Sequence, residues 1–326
     1  MTRLADFGRA VLATVALGVV AIAAAPAPSS RTAWPSPDAD ALPAGPWKEA
    51  VLYGRALFSE TSTLIGPEVA NASMRFAGNN LSCQTCHLKG GTQKFGLPLI
   101  GVYGLFPTYI PRENEVRTLE DRIEGCLERS MNGRPLPLDS REMKAMVAYI
   151  QFLSTDVPVG RVLEGRGAPT LPLLSRAANP ERGATVFLER CAACHQMNGL
   201  GMRKGPAGSA AGYLFPPLWG PDSFNDGAGM HRLIISASFI RANMPLGTTS
   251  AAPVLSVDDA WDVAAFMNSQ PRPARSGLDR DYPDRSRKPA DAPFPPFLDS
   301  FPLEQHRLGP FQPILDASAS RHPGKP

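Results

Sequence analysis

The residues of this chain with the clearest chemistry form two copies of the pattern Cys-x-x-Cys-His, at positions 83–87 and 191–195. This pattern attaches c-type haem, because the cysteines form thioether bonds to the porphyrin and the histidine binds iron. Neither copy lies in a βαβ pattern, and no further Cys or His pair offers the four ligands of a zinc site. The sequence therefore predicts two covalently bound haem c groups, held by Cys83, Cys86, His87, Cys191, Cys194 and His195.

The second axial ligand distinguishes the two predicted haem sites. Met244, which precedes a proline, lies 49 residues after His195, and an electron-transfer cytochrome places its methionine ligand in such a position. The residue 49 positions after His87 is Leu136, which also precedes a proline but has no lone pair to donate. We therefore predict His195 and Met244 as the metal ligands of the second haem. At the first haem, either another residue binds the iron opposite His87 or that position is left open.

Cys126 is the main candidate for that missing ligand, because it is the one cysteine of the five that lies outside the haem motifs and so has no partner. Arg122 precedes it by four residues in a helical-looking stretch, and residues at that spacing are neighbours on a helix. A guanidinium group lowers the pKa of a nearby thiol, which favours a thiolate that binds iron or acts as a nucleophile. Arg122 and Arg112 also offer charge-assisted hydrogen bonds to a small anion. A buried structural role for Cys126 and ligation by Met131 are the alternatives.

The elements that must position these residues repeat along the chain. Each half begins with Gly-x-x-x-Phe, continues to its haem motif and Pro-Leu-x-Gly, and closes with a helix of apolar period near 3.6 residues. Thr118 and Ser256 each precede an Asp by three residues, a capping pattern that predicts helix starts. The plan resembles the class I cytochrome c fold in both halves. We therefore expect a mainly α chain with two tandem class I cytochrome c-like domains.

Differences in composition, above all segments rich in Pro and Gly, divide the chain further. The segment after residue 270 is Pro-rich and irregular, but its phenylalanines offer apolar anchors, so we expect part of it to pack along the body of the protein. The predicted organisation is a signal peptide at 1–27, a catalytic-haem domain at 46–156, a linker at 157–178, an electron-transfer domain at 179–270 and a Pro-rich extension at 271–326.

The N-terminus predicts export. Arg3 and Arg9 precede an apolar run at 10–25, and small residues follow it, as in a secretory signal. The run is shorter than the roughly 20 apolar residues of a membrane span, so membrane association is expected only if the segment stays uncleaved. We expect a periplasmic protein. The formal net charge of +3 is too small to indicate a nucleic-acid partner.

Two stretches of the sequence resemble a known family. The residues from Leu119 to Cys126, continuing through 128–133 to Leu136, resemble the signature of dihaem thiosulfate dehydrogenases, which form tetrathionate. The segment 215–227 is similar to the second domain of the same family. The resemblance implies an oxidoreductase that converts two thiosulfate ions to tetrathionate, possible in both directions, and passes electrons to a cytochrome c or another redox protein.

The same resemblance implies roles for individual residues. His87 and Cys126 would hold the iron of a catalytic haem, and Arg112 and Arg122 would bind substrate. We further expect the Cys126 sulfur to form a covalent S-thiosulfonate adduct with the first thiosulfate. Some family members carry a Lys beside the methionine ligand and exchange the two with redox state. This chain has Asn243 there, which predicts plain His195 and Met244 ligation.

Three other functions fit parts of the pattern. A non-enzymatic dihaem electron carrier would need an ordinary ligand such as Met131 at the first haem. A sulfur-oxidation carrier cytochrome would join thiosulfate to a cysteine of a partner protein. A dihaem peroxidase would keep one iron open to peroxide.

Overall fold

The computed structural model describes residues 34, 35 and 37–321, and the predicted signal peptide at 1–27 lies outside the described residues. Within the part described, no helix has both the length and the apolar character needed to cross a membrane. The described chain is mainly helical, with two short antiparallel strand pairs.

The first domain consists of five helices and one strand pair. The helices are α1 Pro46–Ser59, α2 Thr61–Ile65, α3 Leu88–Gly91, α4 Leu119–Arg129 and α5 Arg141–Phe152. Strands β1 Thr108–Ile110 and β2 Glu115–Arg117 are antiparallel, with Tyr109 paired to Val116, and β2 leads into α4.

The second domain repeats this arrangement, and two further helices follow it. Its helices are α6 Pro180–Arg190, α7 Ala192–His195, α8 Leu233–Asn243 and α9 Val257–Ser269. Its strands are β3 Met202–Arg203 and β4 Tyr213–Phe215, with an irregular register between them. The C-terminal extension contains α10 Leu303–Leu308 and α11 Gln312–Arg321.

A glycine allows the first and last helices of each domain to cross at close range. A Cβ atom at Gly54 in α1 would overlap the carbonyl group of Ala145 in α5. A Cβ atom at Gly183 in α6 would overlap the carbonyl group of Asp262 in α9 in the same way. The repeated Gly-x-x-x-Phe of the sequence therefore marks a repeated helix crossing.

Side-chain caps begin the helices that carry or support the predicted site residues. The Asp121 backbone N–H donates to the Thr118 hydroxyl at 3.3 Å, and the Thr118 N–H donates to the Asp121 carboxylate at 2.8 Å. The Ser256 hydroxyl accepts from the Asp259 N–H at 3.0 Å. Both predicted helix starts are confirmed, and the first of them fixes the beginning of α4, the helix of Cys126.

The C-terminal extension packs on both domains. Phe311 and Ile314, each 2% exposed, belong to the core of the second domain, where the Phe311 ring centroid lies 5.9 Å from that of Trp261. Asp281 and Tyr282 are buried against the first domain. The expectation that this segment packs along the body is confirmed.

Candidate functional site

A cavity of about 700 Å³ lies around the first Cys-x-x-Cys-His motif. Cys83, Cys86 and His87 line it, and so does Cys126 of α4. The segment that joins the two domains also contributes to its wall. Residues of the second domain complete it, namely Phe224, Gly229, Met230 and Ile235.

A backbone carbonyl orients the histidine of each motif. His87 Nδ1 lies 2.6 Å from the Leu97 carbonyl oxygen, and His195 Nδ1 lies 2.8 Å from the Pro216 carbonyl oxygen. Because a carbonyl can only accept, Nδ1 carries the proton, and Nε2 keeps its lone pair for a metal. Both carbonyls come directly before a Pro-Leu-x-Gly sequence. The Pro-Leu-x-Gly repeat therefore follows the residue whose carbonyl accepts the histidine N–H in each domain. The spacing of the sequence alone did not reveal this role.

The donor set fits two covalently attached haem c groups. Each motif offers two cysteines outside any disulfide and one oriented imidazole. Burial raises the pKa of Cys83 to about 11 and that of Cys86 to about 12, so both thiols are neutral before attachment. Burial also lowers the pKa of His195, which keeps its ring neutral as a metal ligand requires. The protein therefore carries two haem c groups, with Cys191 and Cys194 completing the second motif.

Cys126 differs from the other thiols of the cavity. Its burial raises its pKa, but the charge of Arg122, a hydrogen bond with His87 and the charge of Arg112 together bring the pKa down to about 6. The Cys126 sulfur therefore lies near the imidazole of His87, and its lowered pKa favours the thiolate form. The geometry brings together Cys126, His87 and Arg122 as the sequence predicted.

Met131, the alternative ligand, also lines the cavity and is 3% exposed. It follows the last turn of α4, where its N–H donates to the Cys126 carbonyl at 3.0 Å. Of the two side chains, Cys126 is the one whose pKa the nearby His87 lowers, against the effect of burial. Both side chains therefore line the cavity together with His87.

Arginine side chains surround the cavity without carboxylate partners. Arg122 and Arg166 both line it, and within residues 37–321 neither forms an ion pair. The pKa of Arg166 is lowered by burial and then by the charge of Arg122, so the two guanidinium groups lie near each other. Like charges without a counter-ion create a strong positive potential that attracts an anion.

Arg166 is the charged site residue that the sequence did not reveal. It lies in the linker, between Gly165 and Gly167, where no periodic pattern fixes its direction. The Phe95 N–H donates to the Gly165 carbonyl at 2.8 Å, and a Cβ at Gly165 would collide with the Lys94 side chain. These contacts hold the linker against the cavity. In the sequence, the Gly-Arg-Gly segment is the one weak indication that Arg166 belongs to the site.

The second site has a different environment. Met244 ends α8 and packs, partly buried, against the core of the second domain. The neighbouring Asn243 side chain donates to the carbonyls of Phe95 and Phe239 at 3.1 and 3.0 Å and accepts from Gln93 at 2.8 Å. Asn243 therefore joins the second domain to the loop that holds His87.

Comparison with known protein families divides the chain into the same two parts. The model described as SoxA/TsdA, cytochrome c domain, matches residues 74–159. The model described as Cytochrome c matches residues 180–271. The mainly α fold with two tandem cytochrome c domains is therefore confirmed.

Relatives and a solved structure are similar over most of the chain. The thiosulfate dehydrogenase of Allochromatium vinosum is 42% identical over 79% of this chain and 90% of the relative. That of Stutzerimonas stutzeri is 40% identical over 71% of this chain and 70% of the relative. The structure of thiosulfate dehydrogenase TsdBA from Marichromatium purpuratum matches with a TM-score of 0.67 and 37% identity over 74% of this chain. This chain spans 50% of that longer protein.

Proposed function

Because this chain belongs to the thiosulfate dehydrogenase family of dihaem c-type cytochromes, we propose that it oxidises two thiosulfate ions to one tetrathionate ion in the first cavity. The observation that carries this proposal is the position of Cys126, which lines one cavity with His87, Arg122 and Arg166 and has a lowered pKa. His87 and Cys126 would hold one haem iron, and His195 and Met244 the other. The two bound haems supply the redox chemistry that accepts the two released electrons.

The arginines address the electrostatic part of the barrier. Two thiosulfate dianions bring four negative charges together. The product, tetrathionate, carries only two, because two electrons have been removed. Arg122 and Arg166 at the cavity, with Arg112 nearby, offset this repulsion and hold the sulfonate oxygens by charge-assisted hydrogen bonds. Their fixed positions also keep both substrates beside the sulfur, which supplies a proximity gain.

Cys126 supplies the nucleophile. Its thiolate and the outer sulfur of one thiosulfate form an S–S bond with loss of two electrons, which leaves an S-thiosulfonate on the cysteine. A second thiosulfate then attacks this adduct through its outer sulfur, the cysteine S–S bond breaks, and tetrathionate leaves with the thiolate restored. The lowered pKa of Cys126 suits both steps, because the sulfur acts first as nucleophile and then as leaving group.

We propose that the second haem passes electrons on with fixed His195 and Met244 ligation. Asn243 stands where a Lys would be needed for ligand exchange, and its amide is engaged in three hydrogen bonds. The acceptor would be a cytochrome c or another redox protein. A periplasmic location is proposed from the N-terminal sequence, which lies outside the described residues.

Purified protein with thiosulfate and ferricyanide, assayed for tetrathionate, tests the function directly. Cys126→Gly should abolish turnover while two haems per chain remain attached, because the attachment cysteines are unchanged. Met131→Leu is the matched control and should keep activity. Electron paramagnetic resonance should show a His/thiolate low-spin signal that Cys126→Gly loses.

Other outcomes identify the alternatives. A carrier protein would give no tetrathionate and a His/Met signal at both haems. A sulfur-oxidation carrier would consume thiosulfate only with a partner protein that offers a cysteine. Near-normal turnover in Cys126→Gly would remove Cys126 from the mechanism.

A further inference from the structure

The C-terminal extension meets the first domain at Arg112. The Tyr282 backbone N–H donates to the Arg112 carbonyl oxygen at 2.7 Å. Burial lowers the pKa of Arg112, but the neighbouring Tyr282 hydroxyl, with nearby carboxylates, raises it above its ordinary value. Tyr282 is 6% exposed and has φ +58°, a left-handed conformation that is strained for a residue other than glycine. Contacts of both its backbone and its side chain with Arg112 hold it there.

The residue before Tyr282 binds the helix that carries Cys126. The Asp281 carboxylate accepts from both terminal nitrogens of Arg129, at 2.8 and 2.7 Å. Arg129 is in the last turn of α4, three residues after Cys126, and both side chains of this pair are 9% exposed. A buried bidentate pair fixes direction as well as distance, so Asp281 sets the position of this end of α4.

Further contacts keep Asp281 and Tyr282 in place. Arg285 donates to the carbonyls of both residues, at 2.5 and 2.9 Å. Arg275 forms a 2.7 Å ion pair with Glu128, also in the last turn of α4. Arg275 therefore binds the extension to α4 on one side of the Asp281–Tyr282 pair, and Arg285 holds the backbone of the pair itself on the other side.

We propose that the Pro-rich extension is part of the substrate site, with Tyr282 and Asp281 as positioning residues for Arg112 and α4. The inference rests on the proposed function, in which Arg112 binds thiosulfate. A free arginine side chain loses conformational entropy when it orders around an anion, and a preorganised one has lost it already. Tyr282 thus acts on substrate binding through Arg112, without contact to the substrate itself.

Tyr282→Phe is the most selective test, because it removes one hydroxyl and keeps the ring and the backbone N–H. We expect the KM for thiosulfate to rise about fivefold, which is roughly 1 kcal/mol, with kcat, haem content and haem spectra unchanged. Tyr53→Phe is the matched control: the Tyr53 hydroxyl donates to Glu142 at 2.8 Å between α1 and α5, and its loss should leave KM unchanged.

A double-mutant cycle separates positioning from general stabilisation. In an Arg112→Gln background, Tyr282→Phe should cause no further rise in KM, because the group it positions is absent. An equal rise in both backgrounds, or an unchanged KM in Tyr282→Phe, overturns the inference. If the wild-type protein makes no tetrathionate, the proposed function fails. If it makes tetrathionate and Tyr282→Phe leaves the KM unchanged, only this inference fails.

Asp281 gives a second test that does not depend on Tyr282→Phe. Asp281→Asn should raise KM and weaken the His/thiolate signal, because α4 loses its ion pair, whereas Asp281→Glu keeps a carboxylate and should retain most of both properties. Equal effects of the two substitutions would contradict a positioning role for the carboxylate.

Discussion

At the residue scale, the three cysteines of the first cavity differ in the pKa of their free thiols, and only Cys126 stays a thiol once haem is attached. Burial raises the pKa of Cys83, Cys86 and Cys126 alike, but at Cys126 the charge of Arg122 and the hydrogen bond with His87 outweigh it. The thiolate is the reactive form of cysteine, so the lowered pKa distinguishes Cys126. The reactivity of the cavity therefore follows from the charges around one sulfur.

Arg166 should contribute to thiosulfate binding. Arg166→Gln removes a positive charge at the cavity, and we expect the KM for thiosulfate to rise about tenfold, roughly 1.4 kcal/mol, with weaker dependence on salt. Steady-state kinetics at low and high ionic strength measure both effects. Arg161→Gln, an exposed change in the same linker away from the cavity lining, is the control. Equal KM values for the two variants would exclude Arg166 from the site.

The sequence identified residues whose local pattern carries information. The haem motifs, the leucine at 136 and the Arg122 spacing predicted the elements of the first site. Arg166 and Tyr282 lie in irregular segments, whose path depends on distant contacts such as the Tyr282 N–H to the Arg112 carbonyl. His306 is similar: it is 1% exposed and stacks on Phe297, and nothing around it in the sequence indicates burial.

At the element scale, the space around two helical glycines predicts opposite effects of their replacement by alanine. Gly183→Ala should destabilise the protein by about 1–3 kcal/mol, because the new Cβ overlaps the Asp262 carbonyl and the helices must separate. Gly125→Ala in α4 meets no atom nearer than 4.0 Å and should stabilise by about 0.5–1 kcal/mol. Guanidinium unfolding of the holoprotein, followed by circular dichroism, measures both. A tolerated Gly183→Ala would contradict the close crossing.

Asp262 should make the stability of the second domain depend on acid. Burial raises its pKa, but hydrogen bonds from Arg176, the Asn179 N–H and Arg182 lower it below the ordinary 3.8. A depressed folded-state pKa gives stability that is present above the unfolded pKa and lost as pH falls through the folded one. Asp262→Asn should therefore cost about 2 kcal/mol at pH 7, and less below pH 3.8.

Unfolding experiments at pH 7 and pH 3 test this dependence. Asp258→Asn is the control, because this carboxylate also pairs with Arg176 but is 53% exposed, and exposed pairs contribute about 0–1 kcal/mol. A cost for Asp262→Asn that is equal at both pH values would show that charge is not its source.

Element boundaries were predicted well where a side chain caps the helix. Thr118 and Ser256 both accept the expected N–H groups, so α4 and α9 begin where the capping pattern indicates. The short strands and the path of the Pro-rich segment were not predicted. Their residues show no apolar period, and tertiary contacts determine their conformation.

At the scale of the whole molecule, the extension should have separable roles at its two contacts. Phe311→Ala removes a buried ring beside Trp261 and should destabilise the protein by about 3–5 kcal/mol without changing the KM for thiosulfate. Leu298→Ala, at a residue 50% exposed, should have little effect on either property. Denaturant unfolding and steady-state kinetics check both variants. A raised KM in Phe311→Ala would mean that the two contacts are coupled.

The repeat of one plan along the chain suggests two independent modules, but the wall of the first cavity does not allow that separation. Phe224, Met230 and Ile235 of the second domain line it, and Asn243 bonds to the loop behind His87. A first half produced alone would lack this part of the wall, and its haem cavity would be exposed to bulk water. We therefore expect the two halves to fold together to form a complete first site.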